Sequence, residues 1–201
     1  MIKFYTNREL AQKLGINLAK WKRWSREFLP PDPLGGMQSG FARQYSIDDA
    51  FKVFLGGHLV STIKFTIPEA KKILEDLRQW LKSMGIYQNS SAAPKLKDIP
   101  DVVVKRYVIF IYQQPSFSGQ TIDFFYAVRG IISDIPVEHE ASGVREQRYI
   151  ELLIPTQKNI RAVSEAAEVK ILNITAVLQQ FIEALNISKT LYRIPGKAQK
   201  P

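Results

Sequence analysis

Between Asn17 and Phe28 the chain reads NLAKWKRWSREF, which interleaves Lys20, Lys22, Arg23 and Arg26 with Trp21, Trp24 and Phe28. Four cations on one helix-length segment suit a polyanion. A guanidinium offers two parallel donors to a phosphate or to the edge of a guanine, and an ammonium acts as a point charge. The competing account is a solvated helix face. Arg8, near the start of the preceding segment, either meets a phosphate or is a solvated surface charge. Arg43 and Tyr45 follow a glycine-rich stretch, with Arg43 suited to a phosphate or the minor groove. Tyr45 either gives its hydroxyl to a phosphate or packs against the helices. Trp21 aligns with Leu18, Ser25 and Phe28 at helical spacing and reads as core. Trp24 falls at the edge of that face.

Other chemistries find little support. The chain has no Cys, which removes disulfides and thiolate metal sites. Only His58 and His139 offer imidazoles, and they lie far apart in sequence. His139 stands between Glu138 and Glu140, a trio that reads as a solvated acidic loop. Ser116, Ser118 and Gly119 match neither a nucleophile elbow nor a phosphate loop. No catalytic set, metal site or cofactor is expected, and the chain is not read as an enzyme.

The elements that must hold these cations are marked by local signals. Thr6-x-x-Glu9, Ser46-x-x-Asp49 and Thr66-x-x-Glu69 are capping boxes that predict helices to about Leu14, Leu59 and Met84. Gly15 ends the first helix where a positive φ is often needed, and Asn17 caps the next. Pro30-Pro31 stops that helix. Leu34–Gly40 reads as a mobile loop or hairpin tip. Residues 86–100, with NSSAAP, read as a linker.

The second half is β-branched and aromatic. Val102–Gln113, Thr121–Ser133 and Gln147–Ile154 predict three strands, with an antiparallel meander favoured. Ile160, Val163 and Ala167 suggest a short helix. Ile174 to Leu185 suggests a stronger one, and 169–174 is open to a strand reading. Alternation sends half of the aromatic cluster Tyr107–Tyr126 into a core. The other half would cover a helix, form a dimer face or line a pocket.

The net charge of +9 is unevenly spread. Residues 1–97 hold 16 Lys/Arg against 8 Asp/Glu, and residues 98–201 hold 12 against 11, so a polyanion would meet the first half. No apolar run reaches bilayer length and the N-terminus lacks the apolar core of a signal peptide, so a cytoplasmic protein without a membrane partner is expected.

At GINLAKWKRWSREFLPP and FARQYSIDDAFKVF, the chain resembles the MerR family of transcription regulators. Gly15, Asn17, Trp24, Leu29, Pro30, Pro31, Arg43, Tyr45, Ser46 and Asp49 occupy the places of that family's turn, recognition helix, Leu-Pro-Pro, wing and next helix start. Arg23 stands where the family usually has the first of two adjacent aromatics. The likeness covers about residues 4–84. It implies an N-terminal winged helix-turn-helix that binds double-stranded DNA through Arg8, Asn17, Lys20, Lys22, Arg23, Trp24, Arg26, Arg43 and Tyr45.

The expected architecture is α+β. A DNA-binding head spans 1–85, a linker 86–101, and a small antiparallel sheet with helices 102–201. The last region would mediate homodimerisation or sense a small-molecule or protein effector. Two alternatives stand beside a sequence-specific regulator. One is an architectural DNA-binding factor of the excisionase or segregation type. The other is a protein-interaction adaptor whose head has lost DNA binding.

Overall fold

The computed structural model describes residues 4–32, 43–84, 104–115, 122–136, 145–154 and 168–187. Helices and antiparallel sheets are both present, an α+β composition. The loop expected at Leu34–Gly40, the linker expected at 86–101, the short helix expected near Ile160, and the stretches 116–119 and 138–140 lie outside the described residues.

The chain divides into two compact units. The first comprises Met1–Lys95 with Leu178–Arg193, and the second Leu96–Val177 with Ile194–Pro201. This differs from the expected division in assigning residues 178–193 to the first unit.

The first unit begins with a two-residue strand, β1 (Tyr5–Thr6), followed by α1 (Asn7–Lys13) and α2 (Leu18–Phe28). Strand β2 (Gln44–Tyr45) pairs antiparallel with β1, Tyr5 opposite Tyr45. Then come α3 (Ile47–Ser61), α4 (Ile67–Asp76) and α5 (Arg78–Ser83).

Local chemistry explains the helix ends. Thr6 and Glu9 form a reciprocal capping box, and Thr66 and Glu69 form another. At Ser46 the shorter Asp49 side chain takes the Ser46 hydroxyl at 2.8 Å, while the Asp49 N–H donates back to Ser46 Oγ at 3.1 Å. Gly15 turns the chain between α1 and α2 at φ +63°, in the left-handed region that disfavours a side chain. The single helix expected over 66–84 is divided at Leu77, whose apolar side chain continues the buried stripe and so hides the break from sequence.

The unit's core gathers Leu10 from α1, Trp21 and Phe28 from α2, Phe51, Leu55 and Leu59 from α3, and Ile73, Leu74, Leu77 and Leu81 beyond them. Each such side chain contributes roughly 1.5–3 kcal/mol when fully buried. Phe181 joins this core, its ring 5.2 Å from Phe51 and 5.6 Å from Phe54. That packing places the chain from Leu178 in the first unit.

The second unit is a four-stranded antiparallel sheet in the order β5-β4-β3-β6, with β3 (Arg106–Pro115), β4 (Ile122–Pro136), β5 (Arg145–Ile154) and β6 (Val169–Leu172). The 169–174 segment thus contains a strand. One face buries Ile109, Ile111, Phe124, Tyr126, Val128 and Leu172. Phe110, Tyr112 and Phe125 alternate with them onto the other face and are half-exposed.

Helix α6 (Ile174–Ala184) opens with Asn173 Oδ1 accepting from the Ala176 N–H at 3.1 Å. Thr175 accepts from the Tyr107 N–H at 2.8 Å, which ties the helix start to β3. Among the described residues no helix is long and apolar enough to cross a membrane.

Candidate nucleic-acid interface

Helix α2 is built to show one face and bury the other. Asn17 Oδ1 accepts from the Ala19 and Lys20 N–H groups at 2.9 and 3.3 Å, satisfying donors that the first turn leaves unpaired. Asn17 therefore serves as the helix cap. Trp21, Trp24, Ser25 and Phe28 form the buried face.

Helix α3 comes close because Gly56 and Gly57 carry no side chain. A Cβ on Gly56 would stand 2.7 Å from the Phe28 ring, and one on Gly57 would overlap Trp24. Trp24, expected at a DNA-contacting position, is thus seated against α3 and is only 6% exposed. Two adjacent glycines inside a helical pattern were the signal for this close approach.

Tyr45 is also in the core. Its hydroxyl donates to Asn7 Oδ1 at 2.6 Å and lies 2.6 Å from Ser25 Oγ. The phenol has one proton and spends it on Asn7, so Ser25 donates to the phenol oxygen. The ring packs edge-on to Trp21 at 5.8 Å. With Tyr45 only 1% exposed and Ser25 2%, this polar junction joins the start of α1 and the end of β2 to α2. Asn7 and Ser25 were not among the expected site residues.

Arg43 is half-buried and donates through Nη2 to the Pro30 carbonyl at 2.9 Å, with its guanidinium 5.7 Å from the Tyr45 ring centre. It braces the chain after α2 against β2.

The exposed face of α2 carries the remaining expected cations. Lys20, Lys22, Arg23 and Arg26 are exposed, as is Arg8 on α1. Lys20 Nζ lies 4.9 Å from the centre of the Trp24 ring. The guanidinium groups of Arg8, Arg23 and Arg26 make no hydrogen bond or ion pair with another described residue. The one acid on α2, Glu27, is taken by Lys71 of α4 at 2.8 Å. The Lys71 hydrogen bond and charge hold the Glu27 carboxyl below the usual carboxylate range, aided by the Arg23 and Arg26 charges. With Glu27 so engaged, the outward face of α2 keeps a positive field.

His58, in the last turns of α3, is half-buried, and burial pushes its imidazole below its usual range. Among the described residues no group of three or more His, Cys, Asp or Glu is arranged to hold a metal ion.

Lys20, Lys22, Arg23 and Arg26 thus share the exposed side of α2, and Arg8 is exposed on α1. Four further expected residues have structural duties: Asn17 as cap, Trp24 and Tyr45 as core, and Arg43 as brace. No protein-family model matches the chain, and no curated protein matches it.

Proposed function

We propose that the chain is a sequence-specific, DNA-binding transcription regulator of MerR-like type, acting in the cytoplasm as a homodimer. In this reading the first unit is a winged helix-turn-helix. Helices α1 and α2 form the two-helix motif, α2 enters the major groove, and the β1–β2 pair roots the wing.

The observation that carries the reading is the state of the cations on α2. Arg23 and Arg26 project from a rigidly buttressed helix with no hydrogen bond or ion pair to a described residue, and the neighbouring acid is engaged elsewhere. Arg43 and Arg78, in the same unit, are each tied to a protein acceptor. Arg8 adds an exposed cation on α1.

Two copies are inferred because an 11-residue α2 reads few base pairs, and paired heads read half-sites about one helical turn apart. The second unit then carries dimerisation or effector sensing.

Fluorescence anisotropy with labelled duplex across a salt series tests the reading. Binding should weaken with salt at about 0.9 log units per phosphate contact. The Arg23→Ala/Arg26→Ala variant should bind less tightly and with a shallower slope. Absence of duplex binding at low salt would overturn the reading. Sedimentation showing only monomer, with and without DNA, would overturn the dimer.

A further inference from the structure

The arrangement of the cations around α2 carries a statement about sequence preference, which rests on the DNA-binding reading above. With about 100° of rotation per residue, Ala19 marks the middle of the outward arc. Arg26 and Arg23 fall within about 40° of it on opposite sides, while Lys22 and Lys20 lie farther out on opposite flanks. Glu27, the only acid on the helix, sits between Arg23 and Lys20 and is held by Lys71. The central positions therefore present two guanidinium forks and a methyl group, with no amide and no carboxylate.

We infer that the half-site read by α2 contains two guanines on neighbouring base-pair steps, contacted through N7 and O6 by Arg23 and Arg26. Chemistry and spacing both favour this. The guanidinium fork matches the paired N7 and O6 acceptors that guanine alone shows in the major groove, whereas adenine calls for an amide and cytosine for an acceptor. Arg23 and Arg26 are three residues apart, an axial rise of about 4.5 Å against about 3.4 Å per base pair, so they address adjacent or next-but-one steps. Lys22 and Lys20 stand toward the two walls of the groove, where phosphates lie. Ala19, at the crest of the arc, keeps the helix low and sets its methyl against a thymine C5-methyl.

The inference requires both arginines to be available and oriented. Neither has a described hydrogen-bonding partner to give up. The helix that carries them is fixed by Trp24 on Gly57 and by Ser25 on Tyr45, so its rotation about its axis is set before any DNA arrives.

The test is selection of bound duplexes from a random pool by the full-length chain, followed by affinity measurement on the selected duplex with 7-deazaguanine at each enriched guanine. That base pairs normally but lacks the N7 acceptor. Enrichment of a guanine pair is expected, with about a five- to tenfold loss of affinity per 7-deazaguanine. Arg23→Ala and Arg26→Ala should each relax selection at one of the two guanines and become insensitive to deaza substitution there. Arg129→Ala, in the sheet, should select the same sequence as the parent chain.

A pool that binds without guanine enrichment, or guanines indifferent to loss of N7, would overturn the inference and leave DNA binding standing. Failure to retain any duplex at low salt would overturn the DNA-binding reading together with it.

Discussion

In the first unit Arg23 and Arg26 project into solvent, and the aromatics of the same helix are buried beneath them. In the second unit Arg129 is ion-paired with Glu151, its cross-strand neighbour, and its guanidinium lies 4.4 Å from the Phe110 ring centre and 4.6 Å from that of Tyr149. There the aromatics stay half-exposed and clamp the charge. A helix separates its two faces by rotation, so one side can be all core and the other all cation. On the outward face of this sheet, the arginine and the rings are cross-strand neighbours and satisfy one another. Helix α2 thus presents guanidinium groups that no described residue holds, and the sheet presents one held by its neighbours.

The largest effect should come from disturbing that platform. A Cβ on Gly57 overlaps Trp24, so Gly57→Ala must push α3 and α2 apart and should cost about 3 kcal/mol. Gly130 is the sheet's counterpart. A Cβ there meets Ile150 at 3.0 Å and Tyr107 at 3.1 Å, both side-chain atoms that give way, for a loss of about 1 kcal/mol. Urea denaturation followed by circular dichroism measures both. Equal losses would break the contrast between a helix interface set by backbone approach and a sheet that tolerates added volume.

Next in size is the exchange of arginines. Arg23→Ala/Arg26→Ala should weaken duplex binding by about 30- to 150-fold while leaving stability nearly unchanged. Arg129→Ala should do the reverse, with binding unchanged and stability lower by about 1–2 kcal/mol through loss of the ion pair and ring contacts. Anisotropy and denaturation on the same three proteins separate the roles. If Arg129→Ala also weakened binding, the division of labour between the units would fail.

Tyr45→Phe should cost about 1–2 kcal/mol, because the buried Ser25 hydroxyl loses its acceptor and the half-buried Asn7 side chain loses a donor. Tyr112→Phe, on the half-exposed face of the sheet, should change stability by less than about 0.5 kcal/mol. The same denaturation series ranks the two.

These side chains also show what sequence could and could not convey. The capping boxes at Thr6 and Thr66 were legible because both partners lie within four residues. The cap at Asn17 and the turn at Gly15 were legible for the same reason. The cation face of α2 followed from helical periodicity.

The fate of Tyr45 was not legible. Its partners Ser25 and Asn7 lie 20 and 38 residues away, and nothing local distinguishes a tyrosine aimed at phosphate from one aimed at a buried serine. The assignment of residues 178–193 to the first unit depends on packing such as Phe181 against Phe51, across 130 residues of chain. Strand β1 is two residues long, below any periodicity, and exists through its pairing with β2.

The smallest expected effect concerns protons, and it also divides the units. Burial lowers the His58 pKa from its usual 6.5, so the folded state disfavours the imidazolium. Above about pH 6.5 the imidazole is neutral in both states and its contribution is fully present. As pH falls below that value the unfolded chain takes up the proton first, and stability declines until the lowered folded pKa is passed. Burial raises the Tyr107 pKa above 10.0, so its contribution holds below pH 10 and is lost above it, as the unfolded chain gives up its proton first. Trp21, Trp24 and Trp80 all lie in the first unit, so their fluorescence reports that unit. The urea midpoint read by tryptophan fluorescence should fall between pH 7 and pH 5 in the parent chain and fall less in His58→Gln. Tyr107→Phe should leave that acid limb intact. If His58→Gln kept the full acid slope, the decline would belong to other groups, and burial of the imidazole would not be its cause.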